Sequence, residues 1–471
     1  MSKSKPADFA VLGMGVMGQN LALNLADHGS RVAVWNRSPE PQRAFVAAAA
    51  RPDVLGFDAL PSLVASLERP RRLLLLVKAG PPVDETLDAL APLLDEGDIV
   101  IDGGNTWFQD TRRREELCRA LGLRFFGMGV SGGEEGARHG PSLMPGGDRA
   151  SYERMLPQLE AIAAHTEHGA CVAWCGPDGA GHFVKMVHNG IEYADMQLIA
   201  EVYDWMRKGL HLSAVAAADV FSRWDEGPLA SFLTEITAKV LRAPDEETGQ
   251  SRVDIVLDEA GQKGTGKWTA QVALDLGVPV PAIAAAVDAR TLSGGRAARQ
   301  ARAQAWPRPM SGPGADLEAG LADLHDALLT AKIGAYAQGM RLIQAASDTH
   351  GWGTDLAEMA RIWTGGCIIR ARLLPEIMAA FRRAPNLPDL LEDPALAEAF
   401  GRGLPALRRV VGRAVAGGVA APAMSATLAW FDARTSAELP QNLTQAQRDC
   451  FGAHTYVRRD DPARGPIHSE W

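Results

Sequence analysis

A chain of 471 residues with 46% hydrophobic and 22% charged residues is too long for one ordinary core and has the make-up of a two- or three-domain globular enzyme. Its net charge of −9 argues against nucleic acid or an anionic membrane as the main partner, and no apolar run approaches the ~20 residues of a membrane span. Five scattered cysteines (118, 171, 175, 367 and 450) and the absence of an apolar leader in MSKSKPADFAVLGMG fit a reducing, cytoplasmic compartment.

Phe9 to Leu12 reads as a short buried strand, followed by Gly13-Met14-Gly15-Val16-Met17-Gly18 and a helix-forming run ended by Gly29. Glycines in this pattern, between strand and helix, let the backbone approach a pyrophosphate that rests on the helix N-terminus. Arg31 to Trp35 forms the second strand. An NAD enzyme carries an acid about 20 residues on to hold the ribose hydroxyls. Asn36-Arg37-Ser38 stands there instead, and a guanidinium suits a 2′-phosphate, so the expected cofactor is NADP.

Strand and helix then alternate. Residues 71–80, 98–105 and 123–133 read as further strands of a parallel sheet. Ligands of such sheets bind beyond the carboxyl ends of the strands, which makes Val77, Lys78, Ala79 and Asn105 candidate cofactor or substrate contacts. Ser131-Gly132-Gly133 can expose backbone N–H groups to a carboxylate or phosphate, or can be a plain tight turn. EEGARHGPSLMPGG (134–147) reads as an irregular, site-forming loop. His165, His168, Cys171 and Cys175 have a zinc-like spacing, but CVAWC reads as a strand with both cysteines on one face. No metal is assigned.

GHFVKMVHNGIEY (181–193) reads as a helix that puts Lys185, His188, Asn189 and Glu192 on one face. Lys185 and Glu192 would stand about 10 Å apart along its axis, suited to serving two ends of a small substrate. The glycine-punctuated strand pattern stops there, and a boundary falls near residue 178. Alanine-rich helical stretches follow, among them 318–346 and 354–383.

GQKGTGKW (261–268) is nearly a nucleoside-triphosphate loop. Trp268 stands where the magnesium-binding hydroxyl belongs, so kinase-like chemistry is not expected. The basic stretch Arg296 to Pro313 reads as an exposed loop, and no internal repeat is evident. The tail from about 436 is rich in turn formers, and its Phe451, Tyr456 and Trp471 favour packing over a loose end.

In combination, GMGVMGQNLALN, NRS, VKAG, DGGN, GVSGGEEGARHGPSLMPGG, DGAGHFVKMVHNGIEY, DEAGQKGTGKWT and RDCFGAHTYVRRD resemble the decarboxylating, full-length 6-phosphogluconate dehydrogenases, in order and over essentially the whole chain. The resemblance implies an α/β Rossmann-type domain (1–178), a large all-α substrate and dimerisation domain (179–435) and a short tail (436–471). It implies NADP-dependent conversion of 6-phosphogluconate to ribulose 5-phosphate and carbon dioxide. Lys185 would be general base and acid, Glu192 the second acid, and Asn189 a further catalytic residue. Asn105, Ser131, Gly132, Gly133, His188 and Asn189 would hold the carboxylate and hydroxyls. Tyr193, Lys263, Arg290, Arg448 and His454 would hold the phosphate, the last two reaching into the partner subunit of a homodimer. SGGRAARQ after Arg290 lacks the family's acidic-basic run. Two other readings are a dehydrogenase of a shorter β-hydroxyacid, which the long helical region and FGAHTY oppose, and a non-catalytic NADP-binding regulator, which the intact Lys185–Glu192 set opposes.

Overall fold

The computed structural model describes residues 5–306 and 316–471. The N-terminal part is a seven-stranded sheet in the order β3-β2-β1-β4-β5-β6-β7. Its strands are β1 (Phe9–Leu12), β2 (Val32–Trp35), β3 (Val54–Gly56), β4 (Arg72–Leu75), β5 (Ile99–Asp102), β6 (Arg124–Ser131) and β7 (Ser142–Gly147). Helices α1 (Val16–Asp27), α2 (Pro39–Ala49), α3 (Leu60–Ala65), α4 (Pro81–Leu90), α5 (Phe108–Ala120), α6 (Gly133–His139) and α7 (Arg149–Ile162) connect and cover them. The first six strands are parallel, with Leu12 opposite both Trp35 and Leu75, and Leu75 opposite Asp102. The strand order reverses between β1 and β4, which opens a crevice at their carboxyl ends. Gly13 turns the chain there with φ 105°, and a Cβ on it would lie 2.5 Å from the Leu76 carbonyl oxygen. Only glycine fits.

The stretch 134–147 is not the irregular loop expected from its glycines. It forms α6 and then β7, which pairs antiparallel with β6 from Ser131↔Ser142 to Phe126↔Gly147. The glycines serve packing instead. A Cβ on Gly146 would lie 2.2 Å from the Gly181 nitrogen, and one on Gly181 would lie 2.4 Å from the Met144 carbonyl oxygen. CVAWC is not a strand either. Val172 alone bridges to Leu143, while Cys175 donates its N–H to the Pro145 carbonyl at 2.8 Å. Cys171 and Cys175 are free, buried thiols.

Beyond a linker containing Gly176 (φ 139°) and Asp178 (φ 47°), α8 (Ala180–Lys208) opens the helical part. It is followed by α9 (Ala214–Trp224), α10 (Phe232–Arg242), α11 (Arg252–Ile255), α12 (Thr265–Asp275), α13 (Pro281–Ser293), α14 (Arg296–Ala305) and α15 (Leu317–His350). Then come α16 (Leu356–Ile362), α17 (Leu374–Arg383), α18 (Pro394–Gly417), α19 (Pro422–Thr435) and α20 (Gln441–Gly452). The basic stretch is therefore helical from Arg296 to Ala305. Arg296 and Arg299 pair with Asp258, and alanine spacing between the arginines favours helix. Residues 307–313 of that expectation lie outside the described residues. The expected helical run 354–383 is interrupted at Gly365-Gly366. Gly366 has φ 61° and its carbonyl accepts the Ser142 N–H at 2.7 Å, fastening the break to β7.

One core runs through α8, α15 and the helices around them. Within it Lys332 of α15 pairs with Asp195 of α8 at 3.0 Å, both almost fully buried. No helix among the described residues is long and apolar enough to cross a membrane. The tail folds on itself. Asp449 in α20 accepts from the Thr455 and Ser469 N–H groups, His468 and the Trp471 indole, and Tyr456–Val457 pairs with Pro466–Ile467. The tail aromatics pack only in part, since Phe451 and Trp471 stay mostly exposed.

Lys332→Met should destabilise the helical part by about 3–5 kcal/mol, because it leaves the Asp195 carboxylate buried without its cation. Denaturant unfolding would show it, and Asp195→Leu added to Lys332→Met should restore most of the loss.

Candidate active site

Residues 13–18 lead from β1 into α1, whose N-terminal turn is exposed at Gly15 and Val16. Met14 donates its N–H to the Asn36 side-chain oxygen at 3.0 Å, and the Asn36 amide donates to the Ser38 carbonyl at 2.9 Å. The glycine turn and the Asn36-Arg37-Ser38 turn are thereby locked together. Arg37 is 79% exposed and leans on Glu85 at 3.4 Å, free to meet an anion. Val77, Lys78 and Ala79 form the loop after β4 on the other wall of the crevice, and a Cβ on Gly104 would lie 3.5 Å from the Val77 carbonyl oxygen. Asn105 stands exposed at that point. A groove with a helix N-terminus, close backbone and an exposed guanidinium fits a phosphorylated dinucleotide.

The second cluster is built on α8. Gly129 of β6 faces Lys185, and a Cβ there would lie 2.4 Å from the Lys185 Cβ. The lysine stem therefore runs directly over the strand backbone, and the residue is 5% exposed. Burial lowers its pKa to about 8, against opposing pulls from Glu192 and the Cys367 thiol. Burial, then the Lys185 charge, holds His188 well below the usual imidazole range, so it is neutral. Its Nδ1 lies 3.0 Å from the Asn189 side-chain oxygen and its Nε2 3.3 Å from Ser131 Oγ. That arrangement suits a proton on Nδ1, with Nε2 accepting from the serine. Asn189 donates to Thr265 at 3.2 Å. Burial raises Glu192, with Lys185 and Arg290 opposing; its carboxylate lies 4.0 Å from His188 Nδ1.

Arg290 of α13 stacks on Tyr193, its guanidinium carbon 3.5 Å from the ring centroid, a cation–π arrangement. It also donates to the Gly261 carbonyl at 3.4 Å, which ties the exposed Lys263 loop to the same end of α8. Gly132 (φ 113°) and Gly133 (φ 62°) open α6 beside Ser131. The structure thus joins Lys185, His188, Asn189, Glu192, Tyr193, Ser131 and Arg290. It does not bring Arg448 and His454 to them within one chain. Arg448 bonds Gln445 and His454 stacks edge-on Phe451, both inside the tail.

Sequence reasoning missed Thr265, Trp363 and Cys367. Trp363 packs edge-on His188 with centroids 5.5 Å apart. Thr265 sits within the KGTGK motif and could have been read there, whereas Trp363 and Cys367 have no local signal. Among the described residues no group of three or more His, Cys, Asp or Glu side chains could hold a metal ion.

Residues 8–176 match the family described as the NAD binding domain of 6-phosphogluconate dehydrogenase, and 181–471 match its C-terminal domain. A Synechococcus elongatus 6-phosphogluconate dehydrogenase, decarboxylating, is 50% identical, with 98% of this chain and 99% of that one aligned. The NADP(+)-dependent, decarboxylating enzyme of Bacillus subtilis is 47% identical over 100% of both chains. The solved Plasmodium falciparum 6-phosphogluconate dehydrogenase, described apo, with NADP+ and with 6-phosphogluconate, superimposes with a TM-score of 0.95. It is 42% identical, over 98% of this chain and 100% of that one.

Lys185 should react with an acylating reagent half-maximally near pH 8, against about 10.4 for an ordinary lysine. Peptide mass spectrometry across pH reads this directly, and a midpoint above 10 would remove the perturbed amine.

Proposed function

The chain belongs to the 6-phosphogluconate dehydrogenase family, and from that premise we propose how its residues divide the work. It is an NADP-dependent oxidoreductase that converts 6-phospho-D-gluconate to D-ribulose 5-phosphate and carbon dioxide. The observation that carries the assignment of roles is Lys185 and Glu192 on one face of α8, both buried, with their pKa values pushed in opposite directions. Pairs of groups driven towards each other in this way suit acid–base exchange near neutrality.

NADP would lie against Gly13–Gly18, Val77–Ala79 and Asn105, with Asn36, Arg37 and Ser38 around the 2′-phosphate. When bound it accepts the hydride released from C3. Lys185, neutral, takes the C3 hydroxyl proton as that hydride leaves. The product is a β-keto acid, and its C1–C2 bond breaks with the electron pair drawn towards the new carbonyl. Lys185, now protonated, donates to that oxygen, so carbon dioxide departs and an enediol remains. Glu192 then delivers a proton to the former C2, which becomes C1 of ribulose 5-phosphate. Ser131, Gly132, Gly133, His188, Asn189 and Asn105 hold the carboxylate and hydroxyls. Tyr193, Lys263 and Arg290 hold the phosphate, a cationic pocket within an acidic protein.

Arg448 and His454 complete the phosphate pocket of a second protomer. Both are exposed, and the tail that carries them keeps Leu443, Phe451 and Trp471 mostly exposed, apolar surface of the kind a partner covers. The units of this cytoplasmic homodimer are 1–178 for the cofactor, 179–435 for substrate and dimerisation, and 436–471 for the exchanged tail.

Lys185→Arg should lower turnover by about 10²–10⁴-fold, the usual share of an acid–base group, with NADP affinity nearly unchanged; the absorbance of NADPH and cofactor titration report both. Glu192→Gln should slow protonation of the enediol, and normal ribulose 5-phosphate formation would rule that role out. Between the raised pKa of Glu192 and about 8 for Lys185 the pair holds one proton, and the reactive arrangement is that proton moved from lysine to glutamate. Activity should therefore fall above pH 8, where the pair loses its last proton, and again below the Glu192 pKa, where both groups are protonated. Mixing inactive Lys185→Arg protein with an inactive Arg448→Ala/His454→Ala variant should restore turnover through hybrid dimers that hold one complete site. No recovery after subunit exchange would show that the tail serves its own chain.

A further inference from the structure

Arg114, on α5, is completely buried although it touches no part of the site described above. Its Nε and Nη2 each donate to the Asp84 carboxylate at 2.8 Å, a fork matched to a fork, and Nη2 also donates to the Gly80 carbonyl at 3.0 Å. Gly80 ends the loop that carries Val77, Lys78 and Ala79, and Asp84 lies in the first turn of α4 just beyond it. The remaining nitrogen, Nη1, faces the Asp102 carboxylate at 3.7 Å and has no hydrogen-bond partner among the described residues. Asp102 is buried at the end of β5. Its carboxylate accepts from the Gly104 N–H at 2.9 Å and the Thr106 hydroxyl at 2.7 Å, the two residues on either side of Asn105. One turn earlier on the same face of α5, Thr111 Oγ1 lies 2.7 Å from His182 Nδ1. His182 precedes Lys185 by one helical turn of α8.

We propose that Arg114 is a positioning residue for the reaction. It holds the Lys78–Ala79 loop and the Asn105 loop at one mutual height and, through Thr111 and His182, in register with the turn of α8 that carries Lys185. The inference rests on the roles proposed above for those three segments. A guanidinium suits the task because its donors leave in fixed directions. A lysine keeps the charge but meets Asp84 with a single point contact and cannot also reach the Gly80 carbonyl and face Asp102. Hydride transfer demands the closest alignment of cofactor and substrate, so looseness at this joint falls on that step first.

The test compares wild-type protein, Arg114→Lys and Asp84→Asn, the last weakening the same clamp from its more exposed end. KM for NADP, kcat, the deuterium isotope effect with 6-phosphogluconate labelled at C3, NADPH affinity by fluorescence, and folded fraction are measured on each. The expected result for Arg114→Lys is a fall of about 10- to 100-fold in kcat/KM for NADP with a larger isotope effect on kcat, at unchanged folded fraction. Asp84→Asn should shift both in the same direction by less. Wild-type KM, isotope effect and NADPH affinity, with any loss of rate matching lost folded protein, would overturn the proposal and leave Arg114 a structural anchor. If Arg114→Lys does not fold, the same unchanged values in Asp84→Asn overturn it. Should the wild-type protein fail to oxidise 6-phosphogluconate, the functional reading falls separately. NADPH affinity in the variants then decides the positioning role, and an unchanged value rejects it.

Discussion

The chemistry proposed for this protein depends on one close approach, that of α8 to the backbones of β6 and β7. Gly127, Gly129, Gly146 and Gly181 all lie on that contact, and a Cβ on any of them would fall within 2.5 Å of an atom of the facing element. With those side chains absent, the Lys185 stem lies over the strand and its amine is taken out of water. Desolvation is the largest influence on its pKa, so the lowered pKa is a packing property. The same contact carries Ser131, at the end of β6, to His188 on α8. The proposed anion cradle and acid–base pair are thus positioned by a single interface.

Burial acts on the lysine and the glutamate in opposite senses because it disfavours whichever form is charged. Their mutual attraction opposes both shifts but does not cancel them. The two titrations are thereby drawn towards each other, which suits the proton exchange proposed for the pair. Neutral His188 between them adds no competing charge. It orients by hydrogen bonds, with Trp363 bracing its ring.

The cofactor groove obeys a separate rule. Its turn is set by Gly13 against the Leu76 carbonyl, and the selectivity proposed for it by an exposed guanidinium where an acid would otherwise stand. Its walls come from loops after β1, β2, β4 and β5, which the sheet brings to one edge. Behind two of those loops lies α5, whose Arg114 holds Asp84 and the Gly80 carbonyl and whose Thr111 meets His182 of the helix that carries Lys185. The end proposed to hold the phosphate is different again. Arg290 and Tyr193 are preassembled within one chain, whereas Arg448 and His454 ride on a tail that folds around Asp449 and presents them outward.

Much of this was legible in the sequence by itself. The glycine fingerprint, the Asn36-Arg37-Ser38 turn and the one-faced placement of Lys185, His188, Asn189 and Glu192 are local patterns, because backbone turns and the helical repeat act over a few residues. The motifs in sequence also identified the family. Tertiary structure alone decided the rest. Residues 134–147 looked irregular because their glycines carry no periodic signal, yet those glycines are what allow β7 and α8 to pack. The run 354–383 looked like one helix because nothing local announces that Gly365 and Gly366 must turn to meet β7. Trp363, Cys367, Asp102 and Arg114 gain their roles from neighbours far away in the chain. The depressed pKa of Lys185 belongs in this second group: spacing can set a lysine opposite a glutamate, but only a folded, dry interior makes its charge costly.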